Sequence, residues 1–106
     1  MRCAHPVEVL LRRSKRPGKK YDAVLAGASG RTKTVSFGAR GMSDYTRHGD
    51  AERKERYLTR HRRREHWGDV ETPGFWSRWL LWNKPSLGAS KKDVERRFCL
   101  RIQPLP

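Results

Sequence analysis

With 106 residues and a mass of 12.4 kDa, the chain has room for one small domain and little prospect of a second independent core. Its 25 Lys and Arg face 11 Asp and Glu, a formal charge of +14, so its natural partners are anionic: phosphate backbones, acidic proteins or anionic membrane surfaces. Hydrophobic residues make up only 35% and the mean hydropathy is −0.96, which concentrates the expected order around the aromatic residues and leaves the ends flexible.

Residues 1–20 hold seven Lys or Arg and one acid, and Pro6, Pro17 and Gly18 interrupt any periodicity, so the sequence predicts a basic, flexible arm there. The apolar run Val7 to Leu11 contains Glu8 and falls far short of the ~20 residues needed to span a bilayer. The basic cluster RRSKRPGKK follows that run, whereas a secretory leader places its charges before a longer one, so neither a membrane span nor secretion is expected. Arg12, Arg13, Lys15, Arg16, Lys19 and Lys20 together have the pattern of a nuclear-localisation or polyanion-binding segment.

A compact α+β module is expected over residues 21–100, followed by a tail over 101–106. YDAVL and TKTVSF are short β-prone runs separated by the glycine-bearing AGASGR, which predicts a β-hairpin. A lone two-stranded ribbon is marginal in water, so it should rest on a helix. SDYTRHGD reads as a turn leading into a helix with Asp50 as N-cap, running from Ala51 to about Glu65. Tyr57 is its apolar anchor, Leu58 lies beside it, and Glu52 and Arg56 have the spacing of a favourable i, i+4 pair. Arg53, Arg56, Arg60, Arg62, Arg63 and Arg64 crowd its other faces with few acids to pair them.

The block FWSRWLLWNKP is the greasiest of the chain. Thr72-Pro73 has the N-cap then N1 order that proline prefers, which predicts a helix from Pro73 to Trp82. On it Phe75, Trp79 and Trp82 share one face, and Trp76 and Leu80 widen the stripe. Pro85 stops it, and either Ser86 or Ser90 caps a third helix on which Val94 and Phe98 are the apolar pair. Trp67, Phe75, Trp76, Trp79 and Trp82 therefore read as core or as a protein-docking surface, with core packing favoured; Trp76 and Trp82 are the positions whose exposure would speak for docking. The two cysteines, Cys3 and Cys99, form no CxxC pair; free thiols are expected over a disulfide, and no metal site.

The strings KYDA, GRTKTVSFGARGMSDYTRHGDAERKERYLTRHR, GFWSRWLLWNKPSLGAS and KKDV, taken in order, resemble a family of small basic uncharacterised proteins from large nucleocytoplasmic DNA viruses of algae and protists. The resemblance covers about residues 19–95. It implies a viral setting, with residence in the virion or the infected host cell, nuclear or cytoplasmic, and it supplies no catalytic residues. The arginine-rich helix and the N-terminal segment depart from the family's usual form.

No motif indicates an enzyme. Ser43, Asp44 and His48 fit turn formation as well as acid–base work, no nucleophile elbow accompanies them, and AGASGRTK lacks the spacing of a phosphate loop. A helix-turn-helix over residues 50–83 would demand that the greasiest segment face DNA and form the core at once. The expectation is a non-enzymatic structural or packaging protein, without cofactor or metal, that holds nucleic acid independently of sequence. Its contacts would be Arg53, Arg56, Arg60, Arg62, Arg63 and Arg64 of the helix with the six cations of the N-terminal segment. The alternative is a protein-interaction module that docks through its tryptophan-rich helix into an acidic partner. Oligomeric state is left open.

Overall fold

The computed structural model describes residues 7–26 and 31–104. Strands β1 (Val7–Arg13), β2 (Lys19–Ala26), β3 (Thr32–Ala39) and β4 (Leu100–Pro104) form one mixed sheet in the order β3-β2-β1-β4. Helices α1 (Tyr45–His48), α2 (Ala51–His61), α3 (Pro73–Trp76) and α4 (Leu87–Phe98) complete an α+β domain, with a π-helical turn over Ser77–Leu81 continuing α3.

The expected hairpin is β2 with β3, antiparallel, with Ala23 opposite Val35 and Tyr21 opposite Phe37. Loop residues 27–30, which include most of AGASGR, lie outside the described part.

The flexible arm expected over residues 1–20 is corrected by the structure: residues 7–13 are a strand interior to the sheet, between β2 and β4. The reason is the two-residue period of VEVLLRR. Val9 and Leu11 are buried on one face, opposite Leu25 and Ala23, while Glu8, Leu10 and Arg12 point to the other. Charge density concealed that alternation, because an arginine on the open face costs the strand nothing. Arg12 there donates to the buried Asp22 across the pair at 3.2 Å. A tight turn follows, in which the Ser14 amide donates to the Lys20 carbonyl at 3.0 Å and Gly18 adopts a φ of 81°. Residues 1–6 lie outside the described part.

The tail expected over 101–106 is likewise corrected, since β4 runs to Pro104, parallel to β1 with Val9 beside Ile102. Proline is tolerated there because β4 is an edge strand. α4 delivers the chain into it: Cys99 caps the helix with a left-handed φ of 57°, and the Ile102 amide donates to Glu95 at 2.9 Å. Cys99 is disulfide-bonded, contrary to the expectation of free thiols.

The core lies between one sheet face and the aromatic segment, with Val9, Ala23, Phe37, Phe75, Trp76, Leu80 and Val94 fully or almost fully buried. Thr72 caps α3 as its sequence suggests, its hydroxyl accepting from the Phe75 amide at 3.4 Å, with Pro73 in the first turn. An α-helix then fails to continue. The Trp82 amide donates five residues back, to the Ser77 carbonyl at 3.0 Å, and the wider turn rotates every later side chain relative to an α-helical projection. Leu81, which that projection sets opposite the apolar stripe, enters the core, and Trp82 swings to its edge. Trp79 and Trp82 are thus half-buried, whereas Phe75 and Trp76 are fully buried.

Ser86, of the two expected caps, starts α4 by accepting from the Ala89 amide at 3.2 Å. Ser90 lies buried inside the helix and accepts from the Lys84 amide at 3.0 Å.

Candidate nucleic-acid interface

α2 begins as the sequence predicts: Asp50 accepts from the amides of Glu52 and Arg53 at 3.0 and 3.3 Å. It ends at His61, a turn before the expected Glu65, because Glu65 is engaged elsewhere. Its carboxylate meets His61 Nδ1 at 2.8 Å and accepts from the Trp67 indole at 3.0 Å, while the Trp67 carbonyl accepts from the Trp79 indole at 2.6 Å. These contacts hold Glu65 and Trp67 against the aromatic segment.

The helix is held to the domain on a narrow footing. Tyr57 and Leu58 are its two buried residues. Tyr57 stacks nearly parallel on Trp82 with ring centres 4.4 Å apart and carries His61 on its other side at 4.2 Å. Burial, followed by the nearby Glu65 charge, pushes its phenol well above the ordinary tyrosine range. Lys54 reaches across to donate to the Asn83 carbonyl at 2.7 Å, and its pKa is lowered by burial and by the charges of Arg78 and Lys84.

Everything else on α2 faces water. Arg53, Arg56, Arg60, Arg62, Arg63 and Arg64 are all exposed, and among the described residues none lies within 4.0 Å of a carboxylate. The expected Glu52–Arg56 pair is not among the ion pairs formed. Exposed guanidinium groups without an internal partner are free to pair with phosphate oxygens in two-point geometry.

The cations of the N-terminal segment divide. Arg12 and Lys20 are bound internally, to Asp22 and to Asp44 at 2.6 Å, whereas Arg13, Lys15 and Arg16 are exposed and Lys19 is half-buried. Lys19 and Arg60 line one concavity of about 340 Å³ between β2, α2 and the aromatic segment, walled by Tyr57, Leu81 and Trp82. A second, of about 570 Å³, adjoins it along α2, where Arg53, Arg56 and Arg60 meet Met42 and Trp82. Segments distant in sequence thereby contribute positive charge to one continuous side of the molecule.

The aromatic residues are committed internally. Trp76 is fully buried and donates its indole to the Val70 carbonyl at 2.7 Å. Trp79 is packed between the guanidinium groups of Arg78 and Arg97, centred 4.3 and 5.0 Å from its ring, and against Phe98. Trp67 lies near Arg78 at 5.4 Å, and Trp82 is flanked by Tyr57 and His48. Burial depresses the Arg78 pKa, with the Arg97 charge adding to it, and its guanidinium donates to the Trp82 carbonyl at 2.9 Å.

Asp93 is buried and accepts from Asn83 at 2.8 Å, Arg96 at 2.9 Å and Arg97 at 3.0 Å, tying the loop after the π turn to α4. Burial alone would raise its pKa, but the bonds from Asn83, Arg97 and Arg96 outweigh it and hold the carboxyl at about 2. Asp44 and His48 do not form an acid–base pair: Asp44 is taken by Lys20 and by the Thr46 amide and hydroxyl, and His48 Nδ1 accepts from the Asp50 amide at 2.9 Å. No helix is long and apolar enough to cross a membrane among the described residues.

Fold and surface together define a small α+β protein whose aromatic core carries an exposed arginine face, unpaired among the described residues. The chain belongs to a family of unknown function, DUF5754, whose model matches residues 9–61, from β1 through α2. No curated protein and no solved structure matches it.

Proposed function

We propose that this protein is a non-enzymatic polyanion-binding protein that holds nucleic acid by charge, without reading base sequence. The observation that carries the reading is the set of six exposed arginines on and just beyond α2, none paired with a carboxylate among the described residues. Glu52 and Glu55 share the helix, yet neither lies within 4.0 Å of any of these arginines, so water or an external anion is their partner. Lys19 and Arg60 in one concavity extend the face beyond a single helix. Contacts of this kind go to the backbone and fix position, not base identity. The finer setting, a structural or packaging protein encoded by a large DNA virus, rests on the sequence resemblance. The disulfide at Cys99 is compatible with oxidising surroundings, which include virion surfaces.

The competing reading, docking into an acidic protein through the tryptophans, has less to stand on, because Phe75 and Trp76 are fully buried and Trp79 and Trp82 are flanked on their faces by neighbours of the same chain. Binding to duplex DNA, single-stranded DNA and RNA at ~50 and ~200 mM salt, with a variant in which Arg60, Arg62, Arg63 and Arg64 become Gln, separates the two. The proposal expects affinity to fall by ~10²-fold or more across that salt range, and the variant to bind weakly with a log–log salt slope shallower by roughly 3. Equal binding by the variant, or a salt-insensitive interaction, would defeat it.

A further inference from the structure

A second cationic feature adjoins the first concavity through Lys20 and Asp44 but contains no residue of α2, and it involves residues that no single stretch of sequence brings together. Arg13 at the end of β1, Lys20 and Tyr21 of β2, Arg40 just after β3, and Arg47 of α1 with Thr46 and Asp44 line a concavity of about 420 Å³. It holds four cations and one carboxylate. That carboxylate is saturated: Asp44 is buried, its Oδ2 accepts from Lys20 at 2.6 Å, and its Oδ1 accepts from the Thr46 amide at 3.0 Å and from the Thr46 hydroxyl. Arg13, Arg40 and Arg47 are left with no carboxylate within 4.0 Å among the described residues.

The fold, and not chance crowding, places these three. Arg40 is fixed at both ends: its backbone amide donates to the Gly18 carbonyl at 2.9 Å and its Nη2 to the Ser14 carbonyl at 3.0 Å. Ser14 is itself held by its amide on Lys20, so the turn after β1, which sets Arg13, and the residue after β3 move as one body. Arg47 is positioned through Asp44, whose carbonyl accepts from the Arg47 amide at 2.9 Å and whose side chain is locked by Lys20. Converging cations repel one another, and the arrangement is relieved by an anion that brings more than one negative charge and several acceptor oxygens. The free guanidinium edges supply donors only, and the Tyr21 phenol can donate as well.

We propose that this concavity is a binding site for a phosphoryl dianion, a phosphate monoester group carrying close to two charges, as distinct from the singly charged diesters along a nucleic-acid backbone. The site is independent of the reading of α2: it contains none of that helix's residues, and it stands whether or not α2 contacts nucleic acid. Two sources present the same group, the terminal phosphate of a polynucleotide and a free phosphorylated small molecule.

The test titrates the full-length protein with inorganic phosphate at pH 7.5 and constant ionic strength, following backbone amide shifts by NMR, with chloride as the control anion. The chemical shifts of Arg13, Arg40, Thr46 and Arg47 are expected to move saturably with phosphate alone. Arg13→Gln with Arg47→Gln is expected to weaken binding at least tenfold, whereas Arg62→Gln with Arg63→Gln leaves it unchanged; amide spectra of both variants report whether each is folded. Equal response to chloride, shifts spread over every basic surface, or equal loss in the α2 variant would overturn the proposal. Should the double variant fail to fold, Arg47→Gln alone, on an exposed position of α1, is expected to cost at least threefold, and no change would overturn it. Matched oligonucleotides with a 5′-phosphate or a 5′-hydroxyl then assign the source. A preference for the phosphorylated end, abolished in the Arg13 and Arg47 variant, assigns it to polynucleotide ends; parity between the two assigns it to free phosphorylated compounds.

Discussion

α2 and the aromatic segment that follows it are similar in length and opposite in use. Over Pro73–Leu81 the chain buries Phe75, Trp76, Leu80 and Leu81, and bends its hydrogen bonding into a π turn so that Leu81 can join them. Over Ala51–His61 it buries only Tyr57 and Leu58 and leaves its arginines to water. Packing decides the backbone of the first, and local signals such as the Asp50 cap decide that of the second. A helix that contributes little to the core is free to carry charge, and the segment that supplies the core has no face left to offer.

The two segments differ most at Trp76. Trp76→Ala removes a fully buried indole and its bond to Val70, and is expected to cost about 3–5 kcal/mol in chemical denaturation. In a domain of this size that is a large share of the total, so much of the population should be unfolded. A loss under ~1 kcal/mol would mean that the aromatic segment is not the keel of the fold.

Next in size is the link between the two halves of the C-terminal region. Asp93 is held at about 2 in the fold against ~3.9 when unfolded, so its contribution is fully present above pH ~4 and is lost as pH falls through 2. About 1–2 kcal/mol is expected to disappear between pH 5 and 2, a discounted figure because Arg96 and Arg97 reach the carboxylate from solvent. Denaturation midpoints across that range should flatten in Asp93→Asn.

Asp50→Ala tests α2 alone. Removing the cap is expected to cost about 1 kcal/mol, with hydrogen exchange quickening in the first turn of α2 and not in Phe75 to Leu81. Smallest is Arg62→Gln with Arg63→Gln, expected to shift stability by no more than ~0.5 kcal/mol while weakening nucleic-acid binding, since exposed side chains that pair with no carboxylate among the described residues hold nothing together. A larger stability loss would make those arginines structural.

What was legible in the sequence were features whose causes are local. The β2–β3 hairpin announced itself by alternation around glycines, α2 by Asp50, α3 by Thr72-Pro73, and α4 by Ser86. β1 was hidden because its alternation is carried by only Val9 and Leu11 amid arginines, and β4 because its warrant is a neighbour more than ninety residues away. The π turn could not be read because Leu81 is drawn inward by tertiary packing against the preference of an α-helix. The arginine face of α2 was visible as composition, but the internal pairing of Arg12 and Lys20, and the convergence of Arg13, Arg40 and Arg47, depend on strands the pattern did not reveal.

The parallel seam between β1 and β4 imposes an order of events on the chain. During synthesis β1 can take β2 along one flank early, but its other flank stays open, with Val9 and Leu11 only partly covered, until Leu100–Pro104 has emerged. That interval is long for so short a protein. Such remote closure slows folding and leaves a bare strand available to other chains in the meantime. A nascent chain arrested before α4 is therefore expected to be sticky and protease-sensitive, and to gain protection in one step when the final strand docks.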